Sequence, residues 1–324
     1  MIKGYIPPDE TSDNNTSKYA IYTKYAILLF LLFYIFTLVV SAIISPIIFN
    51  LTSYFAEKFS SQVLFHFLSK GLGKFFDRSR LITAIITLPI ILHICKIHVK
   101  RDILARNISI SKFAKIFTCG FIFVLFIYAY LSCVCDVRFC NIMLGEYAMS
   151  VSKFLISAII IGILEELIFR GIIFRMFEVN AGTVIAILLS SLFFAYCHLP
   201  NYGTVTVHGN ATILDGFKCL WQMFSTYVEN FSLVKFLNLT MFGVLLSSLM
   251  KSTGSIYSSI AFHAGVVFSI MHTRFMFKFL KISGLFCGSS VGILDTWVTL
   301  ITQILILLLF LYQPVRKDGI TGMM

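Results

Sequence analysis

Charged side chains make up only 13% of the 324 residues, against roughly 25% in a globular domain, and that shortage excludes a soluble fold. Acids are rarer still, 15 Asp and Glu facing 26 Lys and Arg. On a soluble domain such an excess would point to nucleic acid. Here the basic residues cluster between apolar runs, where anionic headgroups attract them, so the +11 balance reads as membrane charge and no nucleic-acid partner is expected. The 8 cysteines contain no C-x-x-C pair, which argues against a zinc ribbon or a disulfide framework and leaves them as small core residues.

Apolar length is what the chain has in abundance. Hydrophobic residues reach 58% and mean hydropathy is +0.89. Spanning the bilayer core takes about 20 apolar residues per helix, and windows of that size fall at roughly 25–49, 81–99, 113–135, 150–174, 181–199, 231–250, 255–273 and 296–313. The expected fold class is all-α: a polytopic, multi-pass integral membrane protein with about eight transmembrane helices, in the cell membrane if the chain is bacterial. Residues 1–20 are polar and acidic and are expected to form a disordered tail. From Ser53 to Lys70, Phe55, Phe59, Val63, Leu64 and Phe67 alternate with Glu57, Lys58, Ser60 and Ser61, which predicts an interfacial helix over 53–70. The basic stretch with Lys96, Lys100, Arg101, Arg106, Lys112 and Lys115 would be cytoplasmic by the positive-inside rule, although Lys70, Lys74, Arg78 and Arg80 vote for the other side. The long connection from Leu199 to Asn230 reads as an interfacial loop with aromatic anchors at Trp221, Phe224 and Tyr227, a lid or re-entrant segment being the alternative.

Of the 15 acids, all but Glu165 and Glu166 fall in tails, loops or span ends. A charge at a helix centre costs about 2.5–3.5 kcal/mol on insertion scales, whereas each Leu, Ile or Phe returns about 0.3–0.6. The run SAIIIGILEELIFRGIIF must therefore turn these groups toward partners or a wet cavity, and such residues are functional candidates. At about 100° per residue, Glu166 and Arg170 lie about 40° apart, close enough to pair. Glu165 points elsewhere. The expectation is a brace of Glu166 with Arg170 and a Glu165 free to take a proton as a general base, the alternative being one buried ion-pair network of all three. Phe194 and His198 share a face at the end of the next span, before Pro200. His263 lies inside an apolar helix beside Ala261, Ala264 and Gly265. One glutamate and two histidines on separate spans make a plausible constellation for activating water. His66, His93, His208 and His272 read as surface or packing residues. Other membrane chemistries lack their motifs: there is no H-E-x-x-H, no G-x-S-x-G and no intramembrane Asp pair.

With those residues assembled, the chain resembles the CPBP intramembrane proteases, the CAAX-protease and bacteriocin-processing family also called abortive-infection proteins. Glu165, Glu166 and Arg170 look like its E-E-x-x-x-R, Phe194 and His198 like its F-x-x-x-H, and Lys251-Ser-Thr253-Gly254-Ser255 followed by His263 like its later motifs. The resemblance runs from about 150 to 275. It implies a catalytic core over 136–275, preceded by membrane helices over 21–135 and followed over 276–324 by a last membrane helix and a short tail. It also implies that Glu165 and His198 activate the hydrolytic water, that Glu166, Arg170 and Phe194 support them, and that His263 stabilises the oxyanion. Where the family usually has Asn, this chain has Val267. No cofactor is required by that mechanism, although Glu165, His198 and His263 could in principle hold Zn²⁺ with a water. The implied partners are the lipid bilayer and a membrane-anchored peptide or protein, a prenylated C-terminal peptide or a bacteriocin leader among them. A non-catalytic membrane scaffold or immunity protein and a proton-coupled transporter are the competing readings.

Overall fold

The computed structural model describes residues 26–94, 107–199, 205, 207, 209–229, 231–282 and 293–312. The expected tail over 1–20, the basic residues Lys96, Lys100, Arg101 and Arg106, and His208 lie outside them.

The chain forms α1 (Ala26–Lys58), α2 (Gln62–Leu68), α3 (Leu72–Ile94), α4 (Ile110–Val134), β1 (Cys135–Phe139), α5 (Leu144–Glu166), a π-helical segment (Leu167–Ile173), α6 (Phe174–His198), α7 (Ile213–Glu229), α8 (Leu233–Thr253), α9 (Ile256–Met276), β2 (Phe277–Ile282) and α10 (Trp297–Tyr312). In its described residues, each of the eight expected windows is mainly helical, the window 150–174 running from α5 through the π segment. Among the described residues, five segments are long and apolar enough to cross a membrane: Leu31–Lys58, Ile110–Val134, Ala181–His198, Leu233–Thr253 and Ile256–Met276. The helices α3 and α5 have comparable length, 23 residues each, but carry more charge. Outward faces are apolar, with Leu32, Ile35, Phe36, Phe126, Ile160 and Val184 exposed. In water such surfaces would form an outsized apolar patch, whereas lipid covers them without cost, and the molecule is an integral membrane protein.

The all-α class holds, two expectations need correction and one feature is added. The interfacial helix expected over 53–70 is not one element: α1 runs on to Lys58 because nothing between Asn50 and Lys58 breaks it, and Ala56 is buried. The chain then turns at Ser60, φ 45°, and Ser61 caps the short α2. The connection 199–230 is not mainly loop, since it contains the 17-residue α7. This helix packs Gly216, Cys219 and Met223 inward and leaves Leu214, Trp221 and Val228 exposed, a two-faced pattern with helical period. Last, β1 and β2 pair antiparallel, Phe139 opposite Phe277, in a small ribbon that a purely helical reading omits. The two phenyl rings stand 4.7 Å apart.

The helices pack as two groups. In the first, α4, α5, α6, α8 and α9 enclose Phe123, Ile127, Phe174, Phe194, Phe242 and Leu246, with α9 at the centre. Close approach there needs glycine: a Cβ on Gly265 would collide with the Phe117 carbonyl of α4. In the second group, α1, α3 and α7 enclose Leu38, Ala42, Phe75, Phe76 and Met223. From α5 the backbone stays helical through the π segment and the first turns of α6 and then reverses at Gly182, inside α6, whose φ of 80° and ψ of 168° suit glycine. That reversal returns α6 so that its far end, His198, faces the end of α5.

Candidate active site

Glu166 ends α5 and Arg170 lies in the π segment, with side chains 0% and 1% exposed. Arg170 Nη1 donates to Glu166 Oε1 at 2.9 Å, and Nη2 donates to the Gly243 carbonyl of α8 at 3.2 Å. The guanidinium also stands 4.8 Å from the Phe194 ring centroid. Glu166 and Arg170 thus form the expected brace, which further recruits α6 through Phe194 and α8 through Gly243. A side chain at Gly243 would meet Ser191 of α6 at 2.8 Å, so the small residue lets the two backbones close around the guanidinium. Along the π segment, bonding shifts to i→i+5, as where the Phe174 N–H donates to the Phe169 carbonyl. Such turns are rare outside functional sites, and this one follows the acidic pair directly.

Glu165 does not stand alone, contrary to the expectation of an unpaired carboxylate. His198 Nε2 lies 3.0 Å and His263 Nε2 3.6 Å from the same oxygen, Glu165 Oε2. Each imidazole is oriented by its other nitrogen. His198 Nδ1 is 2.8 Å from the Phe194 carbonyl, and its ring stacks on Phe194 at 4.1 Å. A carbonyl can only accept, so this nitrogen carries a hydrogen, and a second proton must lie between Nε2 and the carboxylate for 3.0 Å to be a hydrogen bond. His263 Nδ1 donates to Glu166 Oε1 at 2.8 Å, the oxygen that Arg170 also holds. At 3.6 Å its Nε2 is beyond hydrogen-bond reach of Glu165 and can serve a third group.

Access divides the four. The side chains of His198 and Glu165 are 30% and 24% exposed, while Glu166 and His263 are sealed. The arrangement can therefore move a proton at an open carboxylate–imidazole pair, held from behind by a closed carboxylate–guanidinium–imidazole cluster. Among the described residues, no group of three or more His, Cys, Asp and Glu is placed to hold a metal ion. Val267 is partly buried, one turn beyond His263 on α9. Away from this centre, His66 and His93 sit at exposed ends of α2 and α3, and His272 accepts or donates 3.0 Å from the Tyr147 hydroxyl.

Two contributors escaped the sequence. The Gly243 carbonyl has no signal, because any residue carries a carbonyl. Tyr227 of α7 donates its hydroxyl to the Tyr196 carbonyl and stacks its ring on that of Tyr196 at 4.8 Å, tying α7 to the last turn of α6. Its aromatic surroundings were visible, but not its partner. Lys251, noticed as part of a motif, instead pairs with Glu178 at 2.6 Å.

A family model described as type II CAAX prenyl endopeptidase Rce1-like matches the chain over residues 147–269. Comparisons with curated proteins and with solved structures return no match. The matched segment holds α6, α7 and α8 whole and most of α5 and α9, the elements that carry Glu165, Glu166, Arg170, His198 and His263. Over residues 147–269, then, this membrane protein is similar to the Rce1-like family of CAAX prenyl endopeptidases.

Proposed function

We propose that the protein is an intramembrane endopeptidase that cleaves a membrane-anchored peptide near its C-terminus, with water activated by Glu165 and His198 and no metal required. The convergence of two imidazole Nε2 atoms on one glutamate oxygen, from three separate helices, is the observation that carries this reading. In the proposed reaction, a water beside Glu165 gives a proton to the Glu165–His198 pair as its oxygen attacks the scissile carbonyl. His263 acts as an imidazolium with a hydrogen on each ring nitrogen: Nδ1 donates to Glu166 and Nε2 donates to the oxygen on which negative charge develops. The C–N bond then breaks, and the proton held by Glu165 and His198 passes to the leaving amine, so hydrolysis leaves both residues as they began. Val267 supplies no hydrogen-bond donor, which leaves His263 as the side chain proposed for that oxygen.

A prenylated C-terminal peptide is the substrate class that the family's description suggests. The test is cleavage of membrane-anchored peptides, prenylated ones included, by wild type and by Glu165→Gln and His198→Ala in liposomes with and without chelator. Each substitution is expected to lower turnover about 100- to 10,000-fold, and chelator to leave the wild-type rate as it was. A Glu165→Gln protein cleaving at the wild-type rate would overturn the mechanism. A scaffold would instead keep its partner in both variants and cleave nothing.

A further inference from the structure

An enzyme that cuts near a chain end has a terminus to hold, and an ammonium group stands next to this site. Beyond His198, the ends of three helices meet. Leu199 follows the histidine directly, Thr226 and Tyr227 come from the last turn of α7, and Phe231 and Lys235 from the start of α8; together they line a small open cleft. Its position relative to His198 is fixed, since Tyr227 is bonded to the Tyr196 carbonyl and stacked on the Tyr196 ring, two residues before the histidine.

Lys235 is the charged residue of this cleft. It is partly buried, and its ammonium has no ion-pair partner among the described residues. Two acids belong to the neighbouring elements: Glu229, exposed at the end of α7, and Asp295, which accepts from the Ser232 hydroxyl at 3.2 Å. A cation held in a part-closed cleft gains most from an anion of matching size. Glu165 next door would repel an approaching carboxylate, and the ammonium offsets that repulsion.

We propose that Lys235 anchors the free C-terminal carboxylate of the peptide, with Leu199 and Phe231 as the apolar wall beside its last side chain. The proposal rests on the peptidase reading above. Three extended residues span about 10 Å at most, so a short C-terminal peptide can lie with its scissile bond at Glu165 and His198 and its end in a cleft that begins one residue beyond. Lys235 thereby selects substrates by distance from the terminus.

The test uses the full chain in phosphatidylcholine liposomes and membrane-anchored peptides in pairs, one with a free C-terminal acid and one with an amide. Binding is read by fluorescence anisotropy on the Glu165→Gln protein, and KM and kcat on the otherwise native protein. The acid is expected to bind at least tenfold more tightly than the amide. Lys235→Gln should raise the acid's KM and Kd to those of the amide, and Lys235→Arg should restore the preference. Equal binding of acid and amide would overturn the proposal. So would a Lys235→Gln defect that is equal for both peptides and varies with added anionic lipid, because that is the behaviour of a lysine reaching for headgroups. A Lys235-dependent acid preference in binding, without cleavage of any peptide by wild type, would keep the anchor and reject the peptidase.

Discussion

Glu166 stands between two cationic or proton-donating partners, Arg170 and His263, on a single oxygen. Removing one partner of a buried pair leaves the other charge stranded, at about 3–5 kcal/mol. Arg170→Met should accordingly lower stability by about that amount, while the double variant Glu166→Gln, Arg170→Met should recover at least half of it. Thermal unfolding in detergent checks both, and a double variant as unstable as the single one would contradict the brace. On α9, Val267→Asn would place an amide one turn beyond His263; it should raise turnover about tenfold or more if a second oxyanion donor is what the site lacks. An unchanged rate would count against that role. The Glu166–Arg170 pair was legible because both residues lie within one helical turn. The partners of Glu165 were legible only as candidates: His198 and His263 are 33 and 97 or so residues removed from the acidic pair, and no local rule measures such a gap.

At the scale of elements, the reversal at Gly182 within α6 is pinned by Glu178, whose carboxylate accepts from Arg175 at 2.9 Å, Thr183 at 2.9 Å and Lys251 at 2.6 Å. Burial alone would push this carboxyl up, but the hydrogen bonds of Lys251 and Thr183 and the charges of Lys251 and Arg175 outweigh it and hold the group below its ordinary value of 4.5. A carboxyl depressed in the folded protein stabilises fully above its unfolded value, and that stabilisation is lost as pH falls through the lower, folded one. Glu178→Gln should therefore lower the midpoint of thermal unfolding at pH 7, with the gap to wild type constant between pH 6 and 8 and shrinking below about pH 4.5. A gap that persists at the lowest pH would mean that Glu178 acts by packing. The sequence showed where α6 begins and ends as a span, because apolar length is a local property. It did not show the π segment, since no local pattern in Leu167–Ile173 separates i→i+5 from i→i+4 bonding. The split of the expected helix at Ser60 escaped for a related reason: its serines and glutamate suit a helix surface as well as a turn.

Across the whole molecule, two helix groups meet on an aromatic seam. Tyr34 of α1 contacts Phe193 at 5.3 Å and Tyr196 at 6.0 Å, and Tyr227 of α7 stacks on Tyr196 from the other side. His198 lies just past this seam, so the group of α1, α3 and α7, whose first two helices precede the matched residues, adjoins the open face of the site. The membrane class and the placement of helices followed from apolar windows alone, whereas the number that cross the bilayer depends on charged helices such as α3 and α5, which composition does not decide. The order of motifs along the chain anticipated which helices would converge, and only the packing of α5, α6 and α9 supplied the distances. The most direct test of the central claim is the rate at which reconstituted protein cleaves a membrane-anchored C-terminal peptide, compared between wild type and Glu165→Gln in the presence of chelator. The account expects wild-type cleavage to persist and the variant to fall about 100- to 10,000-fold; a variant that cleaves as fast as wild type would contradict it.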